Sequence, residues 1–343
     1  MKMNELQAAI FAARGMGASD ASHLMSLSPS AVHIDRALTN CAISYRNREY
    51  IADQCMPVVT VANRSDKIFE FPVETMQQLA DVSIAGNRGM PGEVKYSLNS
   101  SKNYSVSDYA LMDFVSNDEI ANADAPLQPK VEAVEIVTNF LMLARESRVA
   151  SAVFGAGNYG ANTAALAGAS RWDTSTSDPV QAIEDAIESC FVRPTHLVLG
   201  GQVWPKLRTN PAVKGYIQSR AGTSAGVIPM QVELATVAEL IGVERVVVGR
   251  AKYNSAQEGL AVSSDYVWGK SAALLRVEPN PDPLMTETFG YTYRYGGKAY
   301  RNEVIPDRLG GAMGGQFIKL STFEDDVVIG GANTGFLMTT VIS

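Results

Sequence analysis

The chain has 343 residues, of which 46% are hydrophobic and 19% charged. That length buries a large core and divides into more than one lobe, and no apolar run is long enough to span a membrane. A formal net charge of −7 argues against tight binding to nucleic acid phosphates, which needs a concentrated basic surface, so that a nearby DNA would be contained more than gripped; the scattered Cys41, Cys55 and Cys190 exclude a disulfide framework and supply no metal-ligand spacing.

In chain order, Ala8 to Ala13 form a short helix with Asn4 as cap and Gln7 completing a capping-box-like pair, and no signal-peptide cleavage pattern follows. Residues 16 to 34 hold much Ser, Ala and Met without a sustained period, and read as an arm that orders on a partner surface. A short turn of helix at Tyr50–Asp53 is closed off by Pro57, and Met56–Val61 is a strand. Phe69, Phe71 and Val73 then alternate with polar neighbours, Ala85–Gly92 is a Gly-rich turn cluster, and Val94, Tyr96, Leu98, Tyr104 and Val106 alternate on the return. This is a long two-stranded excursion, marginal by itself, so it must lie on something.

Asp124–Phe154 is the longest helical pattern and the spine of the chain. Asp124 is a good N-cap, Pro126 and Pro129 suit a first turn, and Gly155 suits the position past the end. The helix from Pro129 to Phe154 would reach about 40 Å. One apolar row is Val134, Val137, Leu141, Ala144; a second is Ile136, Phe140, Leu143, Ala150, Phe154; a polar row of Glu132, Glu135, Asn139 and Glu146 marks a wet edge. Beyond it, Gly155–Ser170 is small-residue rich and Arg171–Pro179 is a polar connector. Asp178 caps a helix with Pro179 at its first position and Val180, Ile183 and Ile187 inward. His196–Leu199 and Arg245–Val248 are buried strands; Gln202–Leu207, a segment starting at Asn210-Pro211, and Val232–Ile241 are helical, so this region is an α/β unit. Strand patterns return at Ala273–Leu275, Tyr291–Tyr295, Val327–Ile329 and Phe336–Ile342.

Chemical motifs are thin. Gly155-Ala-Gly157-Asn-Tyr-Gly160 follows a long helix, the reverse of the strand–glycine–helix context that binds a dinucleotide, and reads as a helix stop. Gly222-Thr-Ser224-Ala-Gly226 spells a hydrolase nucleophile elbow, but the last histidine, His196, precedes Ser224, whereas the mechanism requires a later one. Three histidines without thiolate or carboxylate spacing give no metal site. Asp325-Asp326 reads as a solvated loop end and Glu132/Glu135 as a wet helix face. The expectation is no catalytic residue, no cofactor and no metal, hence not an enzyme.

The order of the parts is similar to that of tailed-bacteriophage major capsid proteins. The resemblance rests on Leu38-Thr-Asn40, Tyr45-Arg-Asn47, Tyr50-Ile-Ala-Asp53, Pro57-Val-Val-Thr-Val61, the Gly-rich hairpin, and Asn122-Ala-Asp-Ala-Pro-Leu127 entering the spine. It continues through Trp172-Asp173, Ser177-Asp-Pro179, Leu197-Val-Leu-Gly200, Val203-Trp204, Asn210-Pro211, Val267-Trp-Gly269 and Phe289-Gly-Tyr-Thr292. It implies an α+β capsid fold with an N-terminal arm at 1–60, an extended hairpin (E-loop) and its flanking strands at 61–118, and a peripheral domain with the spine helix at 119–178. An α/β axial domain at 179–268, peripheral strands at 269–324 and a C-terminal strand at 325–343 returning to the axial domain complete it. The implied function is self-assembly, as hexamers and pentamers, into an icosahedral shell around double-stranded phage DNA bound without sequence specificity. The implied partners are other copies of the chain, portal and scaffolding proteins and a decoration protein, with no membrane; the implied location is the virion after assembly in the host bacterial cytoplasm. Arg88, Met90, Glu93, Lys95 and Tyr96 on the hairpin are the expected intersubunit contacts. Closure is expected to be noncovalent, without a Lys95 or Lys102 cross-link, and without removal of an N-terminal segment. Two other readings compete: an encapsulin-like nanocompartment shell, which shares the fold, and a serine hydrolase using Ser224.

Overall fold

The computed structural model describes residues 49–70, 99–123, 127–220, 232–257, 259–280, 287–296, 300–307 and 313–343. In chain order these form α1 (Ala52–Cys55), β1 (Val58–Val61), β2 (Ser65–Glu70), β3 (Asn99–Ser105), β4 (Ser107–Ser116), α2 (Asn117–Asn122), α3 (Pro129–Val153) and β5 (Thr163–Ala165). There follow α4 (Pro179–Ser189), β6 (His196–Gly200), α5 (Val203–Thr209), α6 (Pro211–Arg220), α7 (Leu234–Ile241), β7 (Arg245–Gly249), β8 (Lys252–Asn254), β9 (Ser264–Tyr266) and β10 (Ala272–Leu275). The last are β11 (Gly290–Tyr295), β12 (Arg301–Asp307), β13 (Gly315–Val328), α8 (Gly331–Thr334) and β14 (Gly335–Thr339). The chain divides into two compact units: the described part of one is drawn from Tyr109–Asn139 and Ala299–Thr322, and that of the other from Asn47–Asp108, Phe140–Lys298 and Phe323–Ser343. The helix α3 and the strand β13 are continuous across the division.

The larger unit is built on the sheet β5-β14-β10-β6-β7. Its central strands read Leu-Val-Leu and Ala-Ala-Leu-Leu, apolar on both sides because both sides are covered. One face, with Leu197, Leu199, Val246, Ala272, Leu274 and Met338, packs on α4, α5, α6 and α7. The opposite face, with Val198, Val247, Ala273, Leu275 and Leu337, packs on Val149, Ala150 and Val153 of α3 and on Ile51, Cys55 and Met56 around α1. Each aliphatic side chain sealed in these layers contributes roughly 1.5–3 kcal/mol. The caps behave as their residues dictate: Asp178 Oδ1 accepts from the backbone N–H of Val180 and Gln181 with Pro179 in the first turn. The same unit pairs β1 parallel to β11 and β11 antiparallel to the last residues of β13, and pairs β2 with β3. In the smaller unit β12 runs antiparallel to Gly315–Ser321 of β13, and Ser116 makes a capping box with Glu119 at the start of α2.

Two glycines make room for a tryptophan. Gly200 and Gly249 are register partners at the ends of β6 and β7. A Cβ on Gly249 would stand 2.1 Å from Cγ of Trp268, and one on Gly200 would stand 2.2 Å from the Gly269 carbonyl oxygen. Gly249→Ala must therefore displace the fully buried Trp268. Overpacking at such a site lowers the unfolding free energy by about 1–3 kcal/mol, which urea unfolding of the full-length variant will register together with a change in tryptophan fluorescence.

Most expected elements are present, generally with boundary shifts of one to three residues, but the strand expected at Val327–Ile329 is only the end of β13, which begins at Gly315. The spine helix begins at Pro129; Asp124, expected as its cap, lies outside the described residues. Gly155 lies just past its end at φ −76°; glycine is required there by close approach, since a Cβ would meet the Ser151 carbonyl oxygen at 2.9 Å. Residues 1–48, the hairpin tip at Ala85–Gly92 and Ser224 lie outside the described residues.

Candidate functional site

Charged side chains are the feature of α3 that its periodicity misassigns. Glu146, placed by spacing on a wet edge with Glu132 and Glu135, is fully buried, while those two glutamates are exposed. Its Oε1 accepts the Ile51 backbone N–H at 2.8 Å and the Trp268 indole N–H at 2.6 Å, and its Oε2 accepts the Ala52 N–H at 2.9 Å. Ile51 is the N-cap of α1 and offers no side-chain cap of its own. A carboxylate from 95 residues away thus satisfies N–H groups that the first turn of a helix leaves unpaired. Burial pushes the Glu146 carboxyl above its ordinary value; the three hydrogen bonds and the neighbouring Arg145 guanidinium pull the other way.

The preceding and following residues of α3 hold a second network. Arg145 donates to Asp53 at 2.6 Å and lies 3.6 Å from Glu324; Arg148 reaches Glu324 and Asp326, each at 3.1 Å; Arg294 on β11 reaches Glu324 at 2.6 Å. Thr292 donates to Asp326 at 2.7 Å. Three guanidiniums thus face three carboxylates, and the central one, Glu324, is 1% exposed in its side chain. Burial alone would raise the Glu324 carboxyl, but Arg145, Arg294 and Arg148 bring it below its ordinary value; burial likewise works against the charge of Arg145, and Asp53 and Glu324 outweigh it and raise that guanidinium. Asp325-Asp326, read from sequence as a loop end, stands within β13: Asp326 is in the network and Asp325 Oδ2 accepts the Ser105 N–H at 2.7 Å.

The second apolar row of α3 is not wholly internal either. Ile136 is 52% and Phe140 56% exposed, and Phe140, Leu143, Ala144 and Ser147 line an open groove of about 210 Å³ with Tyr253 and Val267. On the β8–β9 hairpin Leu260 and Val262 are also exposed. An uncovered apolar surface of this kind is a feature of association surfaces.

Of the other residues singled out in the sequence, Arg88, Met90, Glu93, Lys95 and Tyr96 lie outside the described residues. Lys102 lies on β3 and its ammonium donates to the Ile329 carbonyl. His196 pairs with the Thr195 hydroxyl at 2.8 Å, and burial lowers its basicity. Gly155–Gly160 forms a 3₁₀ turn after α3, as its position after a helix implies. Among the described residues no group of three His, Cys, Asp or Glu is arranged to hold a metal ion, and no helix is long and apolar enough to cross a membrane. The geometry holds backbone and side chains in place: every member of both networks joins segments far apart in sequence.

No family model matches the chain. The major capsid protein of Pseudomonas phage JBD67 is 30% identical over 296 residues, which cover 86% of this chain and 93% of that protein. The major capsid protein of Burkholderia phage BcepMu is 25% identical over 284 residues, covering 80% and 87%. Among solved structures, a phage-related protein of Bordetella bronchiseptica RB50 matches with a TM-score of 0.65 at 24% identity over 90% of this chain and 97% of its own. The capsid of cyanophage P-SCSP1u matches at 0.56 with 13% identity over 86% and 89%, and the SrpI encapsulin of Synechococcus elongatus PCC 7942 at 0.52 with 7% identity over 86% and 89%. The structural likenesses establish the fold that phage capsids share with encapsulins.

Proposed function

The chain belongs to the phage major capsid protein family, and from that premise we propose that it assembles as hexamers and pentamers into an icosahedral shell around double-stranded phage DNA. The observation that carries this is the relationship to the JBD67 capsid protein, which spans nearly the whole of that protein. It favours a phage shell over an encapsulin shell, for which the likeness is one of fold at 7% identity. The role is structural and not enzymatic. In this reading 1–60 is an intersubunit arm and 61–118 the hairpin that reaches a neighbour through Arg88, Met90, Glu93, Lys95 and Tyr96. The peripheral domain is then 119–178 with 269–324, and the axial domain 179–268 with 325–343. Portal and scaffolding proteins and a decoration protein are the further partners, assembly takes place in the host bacterial cytoplasm, and the finished protein resides in the virion. The exposed Phe140, Leu260 and Val262 support the reading, since obligate interfaces cover apolar surface on the order of 2,000 to 5,000 Å².

Electron microscopy of the purified full-length protein tests it. Closed, uniform particles are expected, with DNA inside when they are taken from an infected host and bands of single-chain size after boiling in SDS. A protein that stays monomeric at every concentration overturns the assembly reading. Particles that hold an enzyme cargo and no DNA overturn the phage reading in favour of a nanocompartment, and a covalent ladder refutes noncovalent closure. Ser224→Ala should assemble normally; loss of a hydrolytic activity in that variant would restore the enzyme reading.

A further inference from the structure

The net charge of the chain conceals a local exception. Between Ser189 and Val232 there is no Asp or Glu, while Arg193, Lys206, Arg208, Lys214 and Arg220 fall within it, in a chain of 29 basic and 36 acidic residues. Most carboxylates of the same helical layer sit on other helices, Glu184, Asp185 and Glu188 on α4 and Glu239 on α7; the one that touches α6 is Asp178, the cap of α4, which accepts the Tyr216 hydroxyl at 2.9 Å. Three of the cations are presented about one corner. In α5, Val203, Trp204 and Leu207 face the core, leaving Lys206 and Arg208 exposed; in α6, Val213 and Ile217 face the core, leaving Lys214 exposed.

The corner between these helices is stiff. Asn210 is 3% exposed. Its side-chain amide donates to the carbonyls of Trp172 and Thr174 and to the Ser177 hydroxyl at 3.1–3.3 Å, and its Oδ1 accepts the Ala212 N–H at 2.9 Å. Helix electrostatics explain two of the cations: Lys206 and Arg208 stand in the last turn of α5, where positive charge is favourable. They do not explain Lys214, which stands at the start of α6, where the helix dipole disfavours it. Elsewhere in the unit Arg64, Arg145, Arg148 and Arg294 are paired with carboxylates.

We infer that the α5–α6 corner is a contact surface for the phosphate backbone of double-stranded DNA, an adhesive spot on an otherwise repulsive protein. The inference rests on the shell reading above, which brings DNA against many copies of the chain. Each copy supplies three exposed cations and no base-reading groups are required, so the contact is weak per copy, independent of sequence and sensitive to salt. Charge complementarity selects the occupant: the exposed groups are cations on a stiff support, flanked on α6 by Gly215, Gln218 and one exposed aromatic, Tyr216, whose hydroxyl is held by Asp178.

The test uses the full-length protein before assembly and a short fluorescent double-stranded DNA, titrated from about 50 to 200 mM salt. The variant Lys206→Gln/Arg208→Gln/Lys214→Gln should bind at least tenfold more weakly at the low-salt end. Its log-affinity against log-salt slope should be smaller by about 2 to 3, the value for three lost phosphate contacts. Lys206→Arg/Lys214→Arg should bind as the parent does. Circular dichroism and microscopy accompany each variant, so that a folding defect is recognised and read through the Arg variant instead. Equal affinity and slope in parent and Gln variant overturn the inference. So does binding to polyglutamate but not to DNA, which would make the corner a site for an acidic protein. Failure of the parent to form shells counts against the shell reading alone, because the binding titration is made without shells.

Discussion

Glu324→Gln is expected to lower the unfolding free energy of the full-length chain by about 3–5 kcal/mol, the cost of removing one partner from a buried ionic network. The carboxylate is 1% exposed and lies within 3.6 Å of three guanidiniums. Glutamine would leave Arg145, Arg148 and Arg294 facing only Asp326 and Asp53, and its amide N–H groups would point at donors. Asp53→Asn provides the contrast. Its side chain is 70% exposed, so its ion pair is screened by water and the loss should fall within about 1 kcal/mol. The pH dependence carries the sign. A carboxyl held below its ordinary value of 4.5 supplies stability that is fully present above that pH and is lost as pH falls through the lowered folded value. Urea unfolding between about pH 7 and pH 3 should therefore show a shallower acid loss in Glu324→Gln than in the parent. Parallel pH profiles for the two proteins, or a loss below about 1 kcal/mol at neutral pH, would remove Glu324 from the centre of the network.

Local order was legible where a residue acts on its near neighbours. Asp178-Pro179 starts α4, Pro57 ends α1, and the runs Leu197–Leu199 and Val246–Val248 are strands because short apolar runs between breakers have few other uses. The charged networks were not legible, for a definite reason. A glutamate at a helical position reads as a wet edge unless its partner is known, and the partners of Glu146 are two backbone amides and an indole on segments distant in the chain. Asp325-Asp326 misled in the same way: two adjacent acids look like a loop, but β13 turns one side chain toward Arg148 and the other toward the Ser105 amide. Phe140 misled oppositely, since apolar spacing does not say whether the covering surface belongs to the same chain. The hairpin contacts expected at Arg88, Met90, Glu93, Lys95 and Tyr96 remain the proposal made above.

Glu146→Gln is expected to lower the unfolding free energy by about 2–4 kcal/mol, and its pH profile separates it from the Glu324 network. The native carboxylate accepts three hydrogen bonds with two oxygens. A glutamine oxygen can keep one side of that arrangement, but its NH₂ must then face either the Ala52 amide or the pair formed by Ile51 and Trp268. At least one buried donor goes unpaired, at about 1–3 kcal/mol each. The relief of burying a neutral group offsets part of this, because burial holds the Glu146 carboxyl above its ordinary value of 4.5. That raised value gives a slope opposite to Glu324: the burial penalty grows as pH rises from about 4.5 through the folded value, so acidification across that window stabilises the parent relative to Glu146→Gln. The difference between parent and variant should thus widen on acidification, whereas for Glu324→Gln it narrows. Trp268→Phe removes one donor and its share of the satisfied bonds, so combining it with Glu146→Gln should give a smaller loss than the sum of the two single changes. Strict additivity would mean that the indole and the carboxylate do not act together, and a narrowing difference in acid would mean that the carboxylate is not governed by its burial.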